Sequence, residues 1–306
     1  MQTAAIETLL REKGSSLRAL GPLLADEIDL SAPPQHMLAR LAELTKETSL
    51  QARVERMDPV VARALLRQGA GLEPVPGGAA LRNWIAANAG AWHGIIAPSV
   101  RDMPSVELEL GGAVSDIAAA SATQDRETSQ RLYDAYMAAQ GARLGIGTWH
   151  EYRTVYSTDN YISVFDPSVR RDHHLGLDLF CDAGTPLTLP MDGEVVDARI
   201  VDVRLDYGGV LVLEHAFGDD RKFWSLWGHL SFASARRWKP GDRIAAGTAF
   251  CEMGGFEENG WWLPHLHLQL SAEKYPDFTM MPGVGEGAFL DIWDVLFPDP
   301  TPLIFG

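Results

Sequence analysis

The sequence has little cysteine, a deficit of basic residues and no long apolar run. Its 306 residues include two cysteines, Cys181 and Cys251, which are too few for a disulfide framework and favour a reducing compartment. Lys and Arg total 26 against 41 Asp and Glu, a formal net charge of −15, which argues against a nucleic-acid binder. No segment offers an apolar run long enough for a membrane span, and the first residues do not read as a secretory signal. We therefore expect a cytoplasmic protein with no nucleic-acid or membrane partner.

The two halves of the chain differ in charge and in pattern. Residues 1–150 carry 14 basic and 17 acidic side chains, whereas residues 151–306 carry 12 and 24. Apolar residues at spacings of three and four predict amphipathic helices in the first half. These predicted helices span residues 36–48, 51–68, 80–94 and 124–140, the last with Thr123 as its N-cap. We predict a helical N-terminal region over 1–150, which could cover a groove as a lid or form a dimer interface; the oligomeric state stays open.

The second half is rich in short β-type segments. GEVVDARIVDV, GGVLVLEHA and LHLQLS are separated by Gly, Asp and Pro, and turn signals such as Asp-Gly and Pro-Gly-Asp recur at strand-length intervals. This pattern predicts an antiparallel all-β core within residues 151–306, folded as a sandwich or barrel. The predicted fold class is therefore α+β, with a helical region preceding the β domain.

A set of histidines and one aspartate carries the chemistry. His174 and Asp178 are four positions apart in HLGLD, and His265 and His267 are two apart in HLH. On a strand, offsets of two or four place both side chains on the same side. Two imidazoles and one carboxylate, with a position open to water, form a ligand set typical of catalytic zinc. We therefore predict that His174, Asp178 and one histidine of HLH surround a metal ion; His173 is disfavoured because its offset of five faces the other way.

The same residues lie in a stretch that resembles a known family. HHLGLDLFCDAGTPLTLPMDGEVV, YGGVLVLEH, WGHLS, KPGDRIAAGTAFCEMG and PHLHLQL together resemble the lysostaphin-type zinc metallopeptidases, over about residues 173–270. The resemblance implies one Zn²⁺ per chain, held by His174, Asp178 and His267. It also implies that His265 and His229 are catalytic without binding zinc. His265 would then act on the metal-activated water and the leaving amine, and His229 would donate toward the oxyanion.

A second resemblance concerns the segments around this motif. WHEYRTVYSTDNYISVF, NGWWLPHLHLQL and WIAANAG look like a peptidase-like domain of cytoplasmic fusion proteins, which carry a kinase-like domain and a class III aminotransferase. The resemblance implies a small amino compound as substrate. It makes five residues candidates for the pocket: Tyr152, Arg153, Tyr156, Trp261 and Trp262. Arg153 could bind a substrate carboxylate or form a structural ion pair.

Three functions are compatible with the sequence. The leading hypothesis is a zinc-dependent hydrolase that cleaves an amide or peptide bond. The second is a cytoplasmic metalloenzyme that uses the same site on a small amino compound. The third is a non-catalytic carrier or binding module, since PMDGEV and GDRIAAG also occur in carrier domains of similar β architecture; such a carrier needs a modifiable lysine at a hairpin tip, and none is visible.

Overall fold

A computed structural model describes residues 17–46, 50–112, 114–123, 125–156, 159–219 and 221–306. Helices occupy both the first half and the C-terminal end of these ranges. They are α1 (Leu17–Leu24), α2 (Pro34–Leu44), α3 (Gln51–Val54), α4 (Pro59–Gly69), α5 (Gly78–Ala87), α6 (Ser115–Ala122), α7 (Arg126–Gln140), α8 (Phe232–Arg237), α9 (Leu290–Leu296) and α10 (Thr301–Phe305). No helix in the described ranges is long and apolar enough to cross a bilayer.

Most strands lie in the second half of the chain. They are β1 (Ser105–Glu107), β2 (Leu144–Gly147), β3 (Arg171–His174), β4 (Leu177–Phe180), β5 (Pro186–Thr188), β6 (Gly193–Val201), β7 (Gly208–Phe217), β8 (Arg221–Leu230), β9 (Arg243–Ile244), β10 (Ala249–Glu252), β11 (His265–Ser271) and β12 (Val284–Glu286). The main sheet has the order β1-β2-β4-β11-β8-β7-β6-β9, and β5 pairs with β10 and β3 with β12. Only the β1–β2 pair is parallel among these described strands.

The predicted order, a helical region followed by a mostly antiparallel β core, is confirmed. The first half is not purely helical, however, because β1 and β2 join the main sheet and β2 pairs with β4. Three-residue strands such as β1 are too short to produce a readable alternation in the sequence. The boundary near residue 150, and the description of the core as a sandwich or barrel, stay predictions.

Two helix starts differ from the sequence prediction. The single helix expected over 51–68 is two helices, because the chain turns at Asp58 before Pro59. The Asp58 carboxylate accepts hydrogen bonds from the amides of Val60 and Val61, which caps α4. Helix α7 is capped by Asp125, whose carboxylate accepts from the amide of Thr128, whereas Thr123 ends the preceding helix.

The main sheet is buried on both faces. Along β7, Val210 and Val212 pack into one hydrophobic cluster with residues of α1, α2 and α4. Leu211 and Leu213 point the other way, into a second cluster with residues of α5, β4 and β11. Because successive side chains alternate between faces, both cores draw on the same strand. Each fully buried side chain of this kind contributes about 1.5–3 kcal/mol.

Helices α6 and α7 form a third cluster at the edge of the sheet. Ile117 and Met137 pack there with Phe180 of β4 and with Leu263, which lies just before β11. Arg126 at the start of α7 also forms an ion pair with Glu257. The pair of helices therefore stands beside the ends of the two strands that carry the predicted metal ligands.

Candidate active site

Neighbouring strands bring the predicted metal ligands together. Strands β4 and β11 are adjacent and antiparallel, and in their register His267 lies directly opposite Asp178. His265 lies two residues before His267 on the same strand, so both imidazoles project from one face while Leu266 enters the core. His174 ends β3, immediately before the chain enters β4. The four side chains are almost fully buried.

The expectation that His174 and Asp178 share one continuous strand is wrong. The chain breaks between β3 and β4 at Leu175 and Gly176, and β3 pairs with β12 outside the main sheet. A Cβ on Gly176 would lie 2.5 Å from Cε1 of His267, so a larger residue would displace that ring. Glycine therefore lets the chain cross close beneath His267, and this crossing brings His174 to the other two ligands.

Three ligand atoms converge in the site. Nε2 of His174 lies 2.9 Å from Nδ1 of His267 and 3.2 Å from Oδ1 of Asp178. Nδ1 of His267 lies 3.0 Å from the same carboxylate oxygen. His174, Asp178 and His267 form a buried group that could hold a metal ion. His173 lies outside it and contacts Asp172 instead.

Hydrogen bonds fix the proton on the far side of the His267 ring. The amide nitrogen of Gln269 donates to the carbonyl oxygen of Pro282, so its Oε1 faces His267. Nε2 of His267 lies 3.0 Å from that Oε1 and must donate to it. Nδ1 therefore carries a lone pair, which points at His174 and Asp178.

The same reasoning applies to His174. Its Nδ1 lies 3.0 Å from the carbonyl oxygen of Thr148, which can only accept a proton. Nη2 of Arg153 lies 3.1 Å from the same nitrogen and forms an ion pair with Oδ2 of Asp178 at 2.8 Å. When Nδ1 of His174 donates to Thr148, its Nε2 presents a lone pair to the other two ligands.

With these tautomers, two lone pairs and one carboxylate oxygen face each other. Acceptors this close repel one another unless a cation lies among them. Ligands about 2.0–2.1 Å from a tetrahedral zinc ion lie roughly 3.3 Å apart, close to the separations in this triangle. The donor set of His174, Asp178 and His267 therefore fits a divalent metal, and Gln269 and Thr148 orient its imidazoles as metal-bound histidines require.

Arg153 is committed to the protein interior. Its guanidinium pairs with Oδ2 of Asp178 at 2.8 Å and with Oε2 of Glu151 at 3.0 Å, and the side chain is buried. Burial alone would lower the pKa of Arg153, but the nearby carboxylates raise it above its usual range. Burial alone would raise the pKa of Asp178, but His174 and Arg153 hold it well below its usual range. Of the two roles considered for Arg153, the structure shows the ion pair.

A glycine on the neighbouring strand β2 leaves room for the ion pair of Arg153 and Asp178. A Cβ on Gly147 of β2 would lie 2.5 Å from Nη2 of Arg153 and 3.1 Å from Cβ of Asp178. The side chain of Glu151 also accepts a hydrogen bond from the backbone amide of Leu110. The segment between β2 and β3 thus supports Asp178 from the side opposite the two histidines.

The two other histidines of the site, His229 and His265, have the same tautomer. Nδ1 of His265 lies 2.7 Å from the carbonyl oxygen of Leu263, and Nδ1 of His229 lies 2.9 Å from that of Asn259. Both Nδ1 atoms therefore donate, and both Nε2 atoms carry lone pairs. Burial lowers the pKa of each ring, that of His229 well below its usual value. The ring centroids are 4.1 Å apart, so the two imidazoles lie side by side.

The backbone at His229 is strained. It adopts a left-handed conformation, with φ 61°. Its amide donates to the carbonyl oxygen of Tyr207, and its own carbonyl accepts from the amide of Gly254, each at 2.8 Å. Such a conformation costs about 1–3 kcal/mol and persists where the surroundings fix it. Two loops therefore hold His229 beside His265.

These side chains line a cavity of about 480 Å³. Ile117 and Ala118 of α6 form part of one wall, and Leu205 and Met280 lie on other sides. Among the pocket residues expected from the sequence, Arg153, Tyr156 and Trp262 line the cavity, whereas Tyr152 is exposed.

Tyr207 lines the same cavity and was missed in the sequence analysis. Its ring lies 5.3 Å from that of His267 and 5.7 Å from that of His229. Its hydroxyl is buried and has no hydrogen-bond partner among the described residues. Burial raises the pKa of this hydroxyl. Its position directly before Gly-Gly in YGGVLVLEH marks only a strand start, so the sequence contained no signal for it.

Residues 172–277 match the family described as Peptidase family M23. The match covers about a third of the chain. The match contains all five predicted site residues, and it supports a metallopeptidase-like hydrolase over a carrier module.

Several solved structures are similar to parts of the chain. A zinc-containing peptidase from Vibrio cholerae is 25% identical over 33% of this chain and 28% of its own, with a TM-score of 0.27. The catalytic domain of lysostaphin from Staphylococcus simulans is 22% identical over 39% and 79%, with a TM-score of 0.27. A variant of the catalytic domain of the prophage-encoded M23 protein EnpA from Enterococcus faecalis is 24% identical over 34% and 72%, with a TM-score of 0.26. A comparison with curated proteins gave no match.

Proposed function

We propose that the chain is a zinc-dependent hydrolase that cleaves an amide bond with metal-activated water. One observation carries the proposal: ligand atoms of His174, Asp178 and His267 lie within 3.2 Å of one another in a buried group. A site with two imidazoles and one carboxylate keeps a position open for water. The zinc ion itself is part of the proposal.

His265 is the proposed general base. His174, Asp178 and His267 would hold a zinc ion, which would supply a water of pKa about 7 and polarise the substrate carbonyl. Nε2 of His265 carries a lone pair and lies 3.9 Å from Oδ1 of Asp178, on the side of the metal ligands. It would accept the proton of the attacking water and release it to the leaving nitrogen, while the hydroxyl adds to the acyl carbon. The hydrogen bond to Leu263 fixes the ring in the tautomer that this role needs.

The resemblance implies that His229 donates toward the oxyanion, and the tautomer of His229 bears on this role. His229 presents a lone pair, so it could donate toward an oxyanion only after taking up a proton. Tyr207 has a hydroxyl proton free to donate and lines the same cavity. We therefore assign donation to Tyr207, with His229 as a second proton acceptor beside His265.

A small amide is the favoured substrate over a polymeric one. The cavity volume of about 480 Å³ falls in the range typical of small-molecule sites, about 300–1,000 Å³. Helix α6 contributes one wall, so the N-terminal region acts as a cover of the site in this proposal. The proposed kinship with cytoplasmic domains fused to aminotransferases, and a cytoplasmic location, are consistent with such a substrate. A short peptide is the alternative substrate.

The test combines metal analysis with turnover. Purified protein should hold one zinc ion per chain and hydrolyse members of a panel of small amides and short peptides. His265→Ala should retain zinc and lose turnover by about 10²–10⁴-fold, whereas His267→Ala should lose zinc. His173→Ala is the matched control, because His173 adjoins His174 but lies outside the ligand group, and it should retain both. Loss of zinc in His265→Ala would make His265 a ligand and contradict the assignment.

A further inference from the structure

The charge of the cavity is opposite to that of the chain. The protein carries a formal net charge of −15. Among the described residues, however, the cavity is lined by three arginines and only two carboxylates, with no lysine or glutamate: Arg153, Arg171, Arg204, Asp178 and Asp206. With neutral histidines this lining has a formal charge of +1, and a divalent metal ion would add two more. A cavity of one sign attracts ligands of the other and raises their local concentration.

Arg204 differs from the other two arginines. Arg153 is paired with two carboxylates inside the protein, and Arg171 lies over the ring of Tyr161. The side chain of Arg204 is exposed, and its guanidinium lies 4.8 Å from the centroid of the Trp261 ring. It forms no ion pair with an acidic residue in the described part of the chain. Arg204 thus lines the cavity and carries a guanidinium that stacks on Trp261 without an ion pair to a described residue.

The backbone on both sides of this stack is held in place. Leu205 adopts φ 64°, and its amide donates to the carbonyl oxygen of Gly260 at 2.9 Å. Trp261 adopts φ 69°, and its amide donates to the carbonyl oxygen of Phe256 at 3.0 Å. Left-handed backbone at residues with side chains costs about 1–3 kcal/mol each and tends to occur at functional sites. The loop of Arg204 and the loop of Trp261 are therefore fixed to each other.

Apolar side chains form the rest of the surroundings. Ile117 and Leu263 line the interior, and Val203 and Met280 are large apolar residues that remain 57% and 45% exposed. Exposed apolar residues on a cavity lining are typical of ligand contact. The lining therefore combines an apolar surface with one available cation.

We propose that the substrate is a small amide that carries a carboxylate, and that Arg204 binds this carboxylate through its planar pair of donors. The inference rests on the proposed function for the hydrolytic step and names the substrate class of the same site. A guanidinium binds a carboxylate with two parallel hydrogen bonds, which gives direction as well as charge. Arg204 would then be a specificity residue, while the metal ligands and His265 carry out the hydrolysis.

The test uses N-acetyl dipeptides with a free C-terminal carboxylate and the same peptides as C-terminal carboxamides. The wild-type zinc enzyme should prefer the carboxylates by about 10–100-fold in kcat/KM, the worth of a hydrogen bond to a charged group. Arg204→Gln should reduce this preference to within about threefold, through a rise in KM for the carboxylate peptides. Arg204→Lys should keep part of the preference, because it retains the charge and loses the planar donor pair.

A control variant and a binding assay separate the possible failures. Arg243→Gln removes an arginine whose side chain is 85% exposed and lies outside the cavity, so the preference should persist. Calorimetry on the zinc-loaded His265→Ala variant measures binding of the same peptide pairs without turnover. Equal binding of carboxylate and carboxamide, or an equal effect of Arg204→Gln and Arg243→Gln, overturns the inference. Tighter carboxylate binding that depends on Arg204, but no hydrolysis by the wild type, supports the inference and contradicts the proposed function.

Discussion

Replacing Arg153 by methionine removes the cation that joins Asp178 to Glu151. Asp178 is buried and Glu151 is largely so, and removing one partner of a buried ion pair costs about 3–5 kcal/mol because the other charge stays without compensation. We expect the metal-free variant to lose free energy of unfolding in this range. We also expect its zinc affinity to fall by about 10–100-fold, the usual effect of losing a residue that orients a ligand. Urea unfolding and chelator competition measure the two quantities.

A second substitution separates stability from metal binding. Glu151→Gln keeps the oxygen that accepts from the Leu110 amide but removes the buried negative charge. Added to Arg153→Met, it should recover about 2 kcal/mol of the lost stability, since residues in one ion-pair network are coupled. The zinc affinity should stay low, because Asp178 still lacks its partner. Arg243→Met is the control, because a surface ion pair contributes about 0–1 kcal/mol. Zinc binding by Arg153→Met at wild-type affinity would refute the role of Arg153.

Three further predictions follow from contacts around the site and the core. Gly176→Ala should reduce zinc occupancy about tenfold or more, because its Cβ would meet Cε1 of His267. Metal analysis of the purified variant checks this. Gly94→Ala is the control, because a Cβ at that position meets nothing within 4 Å. Gln269→Leu should weaken zinc binding by about 10–100-fold, whereas Gln269→Glu should preserve it, because only glutamate keeps an acceptor for His267. Equal zinc affinities of the two variants in a chelator titration would contradict the tautomer assigned to His267. Burial raises the pKa of Asp58 from 3.8 to about 6, so the folded chain binds this proton more tightly than the unfolded chain, and the wild type loses stability as pH rises through this window. Asp58→Asn should therefore gain up to about 3 kcal/mol relative to the wild type between pH 4 and 7 in urea unfolding, and a constant difference would show that Asp58 does not titrate as described.

The metal ligands could be predicted because the prediction depended on their spacing in the sequence and not on the exact course of the chain between them. His265 and His267 lie on one strand, as the alternation of side chains requires. His174 and Asp178 come together for a different reason than the one predicted, since the chain breaks at Gly176 and the two residues lie in different sheets. The sequence contained Gly176 but not the ring of His267 that makes this glycine necessary.

The residues that orient the ligands could not be predicted. Thr148 acts through its backbone carbonyl oxygen, which every residue type has. Gln269 can act only because Pro282 fixes the orientation of its amide group. The ion pair of Arg153 depends on β2 joining the sheet next to Asp178, and β2 is only four residues long. Such contacts arise from tertiary packing, and local periodicity does not encode them.

Local periodicity also failed to predict where the helices begin and end. The amphipathic spacing continued through residues 51–68, but Pro59 and the cap at Asp58 divide this segment in two. Thr123 and Asp125 are both suitable N-caps by residue type, but Thr123 ends α6 and Asp125 caps α7. Patterning thus predicted the existence of helices better than their ends.

X-ray absorption at the zinc edge of the purified, zinc-loaded protein tests the central claim most directly. The account predicts one zinc ion per chain with nitrogen and oxygen neighbours at about 2.0–2.1 Å, including the outer-ring scattering of two imidazoles. A sulfur neighbour at about 2.3 Å, or a shell of oxygen without imidazole, would contradict the assignment of His174, Asp178 and His267 as the ligands.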